Sequence, residues 1–291
     1  GGSFGFNISE NNWLGKGINL STSLELSAET FTGGVNVTDP NYNFSGNSLT
    51  YFVNNTSNDK EKSGYKNNLT TTGIGTKFEQ YKDVYLSPNI VLSFDNLKVE
   101  NTASAALKKQ KGSFTDLTFD YGISVDKRNK VYAPTDGYLS TFSQALPLYA
   151  DTPFLRNTYS FSKYATINPN AIGSFKFYTS VVNGLSDKDV RLSKRIGLSS
   201  SKLRGFEGGK LGPKDGDDFI GGNYAMSTNF EVNLPNFLPE STKTDVGLFL
   251  DIGNVWGVDY DDNIDESNKI RSSVGVNTSW LSPVGPMTFI F

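Results

Sequence analysis

Ile18-Asn19-Leu20-Ser21-Thr22-Ser23-Leu24-Glu25-Leu26-Ser27-Ala28-Glu29 alternates residue by residue. A period of two puts Ile18, Leu20, Thr22, Leu24, Leu26 and Ala28 on one face of a strand. Asn19, Ser21, Ser23, Glu25, Ser27 and Glu29 fall on the other. Phe31, Val35 and Val37 continue the pattern in the opposite phase until Asp39-Pro40 stops it.

The same reading recurs along the chain. Shorter alternations cover Leu49 to Val53 and Leu69 to Phe78, and Leu86, Ile90, Leu92 and Phe94 form another apolar face. Leu117, Phe119, Tyr121, Ile123 and Val125 alternate with Thr118, Asp120, Gly122, Ser124 and Asp126. Beyond a turn at Pro134-Thr135-Asp136-Gly137, strand-like runs cover about 138–148, 154–167 and 171–183. Tyr224 to Leu234 and Val246 to Ile252 place their apolar residues at even numbers. Val274, Val276, Thr278 and Trp280 follow, and Met287, Phe289 and Phe291 begin a last run. The count is about fourteen strands, most with one apolar and one polar face.

Composition narrows the class. Hydrophobic residues make up 36% of the 291, mean hydropathy is −0.37, and no amphipathic helix stands out. Phe (21), Tyr (14) and Gly (29) with abundant Asn, Ser and Thr favour half-polar strands. No stretch approaches the ~20 apolar residues of a membrane-spanning helix, which leaves a membrane barrel open, because barrel strands alternate. No charged, apolar-cored leader opens the chain, so Gly1 reads as the start of a mature or excised piece. The absence of Cys and His removes disulfides, thiolate chemistry and His-dependent hydrolysis. Lys and Arg (27) are outnumbered by Asp and Glu (30), with no basic stripe for nucleic acid.

A sandwich of this size should divide into two domains with a linker, and none is visible. Glu25, Asp120, Glu231 and Asp251 lie on polar faces, where a dry core would penalise their charges and a water-filled lumen would not. The expected fold is therefore an all-β transmembrane antiparallel β-barrel. Asn54 to Asn67 and Lys108 to Ser113 are expected as exposed loops, and Asp39–Asn43 and Asn168–Asn170 as tight turns.

The longest connection, Gly184 to Phe219, exceeds the ~12–15 residues of ordinary links. At its middle, Leu203-Arg204-Gly205-Phe206 combines a fixed charge, a permissive backbone and a ring. With even-numbered residues facing outward, Glu231 and Asp251 point inward, within reach of a loop folded into the lumen. Arg204 then forms a bidentate pair with either acid or stays solvated in the loop; the sequence leaves both open. Asp259, Asp261, Asn263 and Asp265 imitate a calcium loop, but Ile264 and Ile270 occupy the Gly and Glu positions it needs. Gly205 to Lys210 lacks phosphate-loop spacing. Asp215, Asp217 and Asp218 read as loop solubilisers. Trp13, Trp256 and Trp280 read as interfacial or packed rings.

Leu203-Arg204-Gly205-Phe206 resembles the tip of the inward-folded sixth extracellular loop of the BamA-type outer-membrane protein assembly factors (bacterial surface antigen family). Phe249-Leu250-Asp251-Ile252-Gly253 resembles that family's Phe-x-Asp-x-Gly strand motif, and Glu231 falls where the family carries a loop-binding glutamate. Pro134 to Gly137 is similar to its mid-barrel strand start, and Trp280-Leu281-Ser282-Pro283-Val284-Gly285-Pro286 to its C-terminal hairpin. Asn12 to Gly17 is similar to its first hairpin.

The resemblance implies a barrel domain over 1–291, with about 14–15 of the family's sixteen strands and Phe291 in mid-strand. The family's upstream POTRA domains and last strand would lie outside these residues. It further implies an integral outer-membrane location and insertion of client barrels through a seam between first and last strands, with no chemical reaction and no cofactor. Leu203, Arg204, Gly205, Phe206, Glu231, Phe249, Asp251 and Gly253 would anchor the loop. Partners would be unfolded outer-membrane protein clients, assembly-complex lipoproteins and outer-membrane lipids. The alternatives are a translocation pore of a related secretion-type branch, which Asn12 to Gly17 argues against, and a diffusion porin, which needs an open lumen.

Overall fold

The computed structural model describes residues 3–235, 237–242, 244–282 and 285–291. Ten strands precede the long connection: β1 (Ser3–Trp13), β2 (Ile18–Ser27), β3 (Thr30–Asp39), β4 (Ser48–Lys60), β5 (Tyr65–Tyr81), β6 (Val84–Val99), β7 (Gly112–Asp126), β8 (Gly137–Ala150), β9 (Phe154–Asn168) and β10 (Ala171–Gly184). Within the connection, β11 (Lys214–Asp215) and β12 (Asp218–Phe219) form a minimal hairpin. Four strands follow: β13 (Tyr224–Leu234), β14 (Thr244–Trp256), β15 (Arg271–Ser282) and β16 (Gly285–Ile290).

Fourteen of them make one antiparallel sheet in chain order, with β10 pairing directly to β13 across the long connection. Phe291 extends the last pairing, exchanging backbone bonds of 2.9 and 3.0 Å with Val276. The edges are β1 and β16, which are not paired to each other among the described residues. Within the predicted C-terminal hairpin, Pro283 and Val284 lie outside the described residues.

The alternation decides which way each strand faces. Leu24, Leu26, Tyr51, Val53, Phe230, Leu248 and Leu250 are exposed on the outer side. Tyr138, Phe161, Phe175 and Phe230 line up across β8, β9, β10 and β13, with successive centroids 6.0, 6.3 and 5.1 Å apart. Such cross-strand ring rows stabilise a face by packing without hydrogen bonds. The inner face is a polar ladder: Thr38 to Thr50 at 2.9 Å, Asn58 to Asn67 at 2.9 Å, Ser124 to Thr141 at 2.7 Å and Thr158 to Ser180 at 2.9 Å.

Two loop expectations are corrected. Asn54 to Asn67 is strand for most of its length, since β4 runs to Lys60, β5 starts at Tyr65 and only 61–64 turn. Side-chain amides replace hydrophobic alternation there: Asn55 donates to Asn68 (3.0 Å) and Thr70 (2.8 Å) across the pair. The β3–β4 connection is eight residues, 40–47, rather than a tight turn at Asp39–Asn43. The β9–β10 turn is the expected short one, 169–170. The segment from Lys108 to Ser113 ends a helical turn, α1 (Ala105–Lys108), whose Leu107 is fully buried.

Both hydrophobic cores lie between the sheet and the long connection. One joins Val190, Ile196, Leu198, Leu203 and Leu211 of the connection to Phe154, Val182, Ala225 and Val255 of the wall. The other joins Leu192 and Ile220 to Tyr65, Leu97, Ala103 and Leu107. One segment therefore packs on β5–β6 and on β13–β14 at once, and strands so far apart in sheet order meet it only if the sheet curls around it. The connection is a compact loop with its own core, not an open one.

Candidate functional site

The loop is closed at its neck by an antiparallel bridge between Ile196 and Gly222, with backbone bonds of 2.8 and 2.9 Å. Above that neck the backbone turns, with Leu203 N–H donating to the Ser199 carbonyl at 3.3 Å and Gly209 N–H to the Leu198 carbonyl at 3.0 Å. Leu203 is wholly buried and pins the turn to the wall. Gly205 takes φ +82°, a left-handed conformation that glycine tolerates without strain. Phe206 packs against the same apolar cluster, so its ring and Leu203 flank the arginine.

Arg204 is held from three sides. Its Nε and Nη2 donate to the two oxygens of Asp251, each at 2.7 Å, and its backbone N–H reaches Asp251 Oδ2 at 3.0 Å. Nη1 donates to Glu231 Oε2 at 2.5 Å. The guanidinium carbon lies 3.8 Å from the centroid of the Phe249 ring. This is the planar fork used in full: two parallel bonds to one carboxylate, a third to another, and a cation over a π-face. Burial disfavours the Arg204 charge, yet the hydrogen bonds to Asp251 and Glu231 outweigh it and raise its pKa. Both acids are therefore engaged, which answers the choice the sequence left open.

The wall is cut to fit. Glu231 sits directly opposite Phe249 in the β13–β14 register, and Asp251 lies two residues further along β14 on the same face. Phe249 faces Gly275 on β15, where a Cβ would come 2.7 Å from the ring and 2.3 Å from the Phe291 carbonyl, so glycine leaves room both for the ring under Arg204 and for the last pairing. At Gly253 a Cβ would lie 2.8 Å from the Met226 carbonyl of the paired strand, so glycine lets β13 and β14 approach closely beneath Leu198 of the loop. Glu231 also accepts from Asn277 at 3.2 Å, and Asn229 donates to the Lys202 carbonyl at 2.9 Å. All eight predicted anchor residues thus lie in or beside one cluster.

A profile of the Omp85 superfamily domain matches residues 12–291. The chain belongs to the Omp85 superfamily. It is 27% identical over 234 residues to the outer membrane protein assembly factor BamA of Neorickettsia risticii (strain Illinois), covering 78% of this chain and 31% of that protein. With BamA of Neisseria meningitidis serogroup B the identity is 24% over 333 residues, covering 98% and 42%. The chain thus spans less than half the length of these curated relatives. The crystal structure of BamA from Haemophilus ducreyi lacking POTRA domains 1-3 superposes with TM-score 0.86 at 21% identity, covering 99% of this chain and 63% of that one. Superfamily members are integral β-barrels of the outer membrane, so the apolar outer face of this Omp85 barrel is its lipid side and the clamp sits in its lumen.

Sequence reading overlooked several further ties of the loop. Arg195 donates to Asn223 at 2.8 Å and pairs with Asp259, with its guanidinium 4.8 Å from the Tyr260 ring centroid. Asp259 also accepts from Val190 N–H at 2.8 Å. The calcium look-alike is thus partly a loop anchor, while Asp261 accepts from Asn263 and Asp265 from Ser267, both local turns. Asp215 is corrected from solubiliser to tie: it accepts from Ser104 at 2.7 Å and from Tyr260 at 2.9 Å. Trp256 stacks on Tyr224 at 5.7 Å, whereas Trp13 and Trp280 are exposed.

Proposed function

We propose that residues 1–291 form the transmembrane barrel domain of an outer-membrane protein assembly factor. It folds and inserts client β-barrels through a seam between its first and last strands. The observation that carries this reading is the lumen loop locked by Arg204 onto Asp251 and Glu231. A diffusion porin works by leaving that space open, whereas this barrel packs a charge-pinned segment against its inner wall. The names of the relatives, assembly factors in both cases, support the same reading.

The physical work is strand templating rather than bond chemistry. An edge strand exposes unpaired N–H and C=O groups, and an incoming client strand can complete them, as in β-augmentation. Client folding supplies the free energy, so no nucleotide or cofactor is called for. Clients, outer-membrane lipids and assembly-complex lipoproteins are the partners of this reading.

The edge itself is testable. The chain has no cysteine, so Asn7→Cys on β1 is a unique probe. Disulfide capture of a stalled client carrying cysteines along its terminal strand should alternate strong and weak with a period of two. Uniform weak capture along the client strand would remove β1 as the templating edge.

A further inference from the structure

The Arg204 clamp has a counterpart on another part of the wall, separated from it by three strands of the sheet. Arg191, at the other end of the loop, donates from Nη2 to Asp116 Oδ2 at 2.7 Å. Its Nε lies 3.4 Å from Asp95 Oδ2, and Ser193 Oγ bridges the two, accepting from Nε at 3.1 Å and donating to Asp95 at 2.5 Å. Its guanidinium carbon stands 4.3 Å from the centroid of the Phe114 ring. Nη1 donates to Thr152 at 2.7 Å, which engages the β8–β9 link as well.

The two sites share one construction. On β7, Phe114-Thr115-Asp116 repeats the Phe249-Leu250-Asp251 spacing of β14, placing ring and carboxylate on one face. On the strand before each, an acid stands directly opposite the ring: Asp95 across from Phe114, and Glu231 across from Phe249. In both, an asparagine from a further strand holds that second acid, Asn67 to Asp95 at 2.7 Å and Asn277 to Glu231 at 3.2 Å. The Arg191 side chain is 1% exposed and that of Asp116 0%, so this pair is at least as deeply enclosed as the first. Lys194 adds a second cation 3.4 Å from Asp116, and burial pushes its ammonium pKa down.

We propose that Arg191 is a second anchor and that the segment from Arg191 to Arg204 is a two-ended strut across the lumen. It ties the β6–β7 wall to the β13–β14 wall. In sheet order β8, β9 and β10 lie between these pairs, so the strut closes one arc of the barrel into a braced unit. Strands β1 to β5, β15 and β16 fall outside that arc. The strut holds the arc together and leaves wall movement to the strands outside it. Each anchor must be buried and bidentate or bridged to serve, since exposed ion pairs contribute almost nothing. The strut stands whether or not the assembly reading holds, because it concerns distances within the barrel and not clients.

Pairs of spin labels on introduced cysteines in the membrane-reconstituted protein test it. Lys111 and Lys269 report wall to wall, Lys111 and Lys188 report the Arg191 end, and Ser201 and Lys269 report the Arg204 end. Arg191→Ala should cost the 111–269 and 111–188 distributions their narrow peaks and leave 201–269 narrow. Arg204→Ala should widen 111–269 and 201–269 and leave 111–188 narrow. Should Arg191→Ala fail to fold, Asp116→Asn, which keeps shape and removes charge, should give the same pattern. An unchanged 111–269 peak with Arg191→Ala or Asp116→Asn overturns the proposal, and so does widening of all three pairs together.

Discussion

Arg204→Ala should lower the stability of the folded barrel by ~3–5 kcal/mol, the cost of stranding a buried carboxylate whose partner has been removed. Asp251 is 0% exposed and its two oxygens accept both parallel bonds from the guanidinium. Deleting the side chain leaves it only the Arg204 backbone N–H from that residue. The denaturant midpoint in lipid vesicles reads the loss. Arg204→Lys should fall between, since an ammonium keeps the charge but cannot form the fork or lie flat on Phe249. A double-mutant cycle separates the acids: coupling of Arg204 to Asp251 should exceed its coupling to Glu231, which receives a single bond. Replacing all three charges by apolar residues of similar size should recover much of the loss, because the desolvation cost disappears with them.

Leu203→Ala should cost ~2–5 kcal/mol by a different route, the cavity left by a fully buried leucine. Leu203 is 0% exposed and sits among Val182, Ala225 and Val255 of the wall and Leu198 and Leu211 of the loop. The damage should be local, because the sheet's backbone ladder does not pass through Leu203. Limited trypsin digestion after Lys202 and Lys210 should accelerate while the β-sheet signal in circular dichroism stays. Loss of both together would mean that loop and wall unfold as one unit.

The wall was legible because alternation is a local signal: each strand's facing can be read from neighbours two residues away. Parity also put Glu231 and Asp251 on the inner face, and a long connection with a lone Arg-Gly-Phe tip named their partner. The Arg191 anchor was not legible for the opposite reason. Asp95 and Asp116 are two among many inward polar residues, and Arg191 reaches Asp116 across 75 positions of chain. The repeated Phe-x-Asp spacing at Phe114 and Phe249 was the available clue. Strand ends were misread where both faces turn polar: in Asn54 to Asn67, amide ladders do the pairing that hydrophobic contrast announces elsewhere. Asp215 and Asp259 looked like solvated loop acids because their partners, Ser104, Tyr260 and Arg195, meet them only once the loop is packed inside the barrel.

On the proposed reading, a barrel with a loop pinned to its inner wall works at its edge and not through its middle. The most direct measurement follows an unfolded client barrel added to liposomes carrying this protein, with client protease protection and leakage of a small trapped solute recorded together. The account predicts faster client protection with no more leakage than empty liposomes show. Leakage without any acceleration of client folding would contradict it and make the Arg204 loop the gate of a pore.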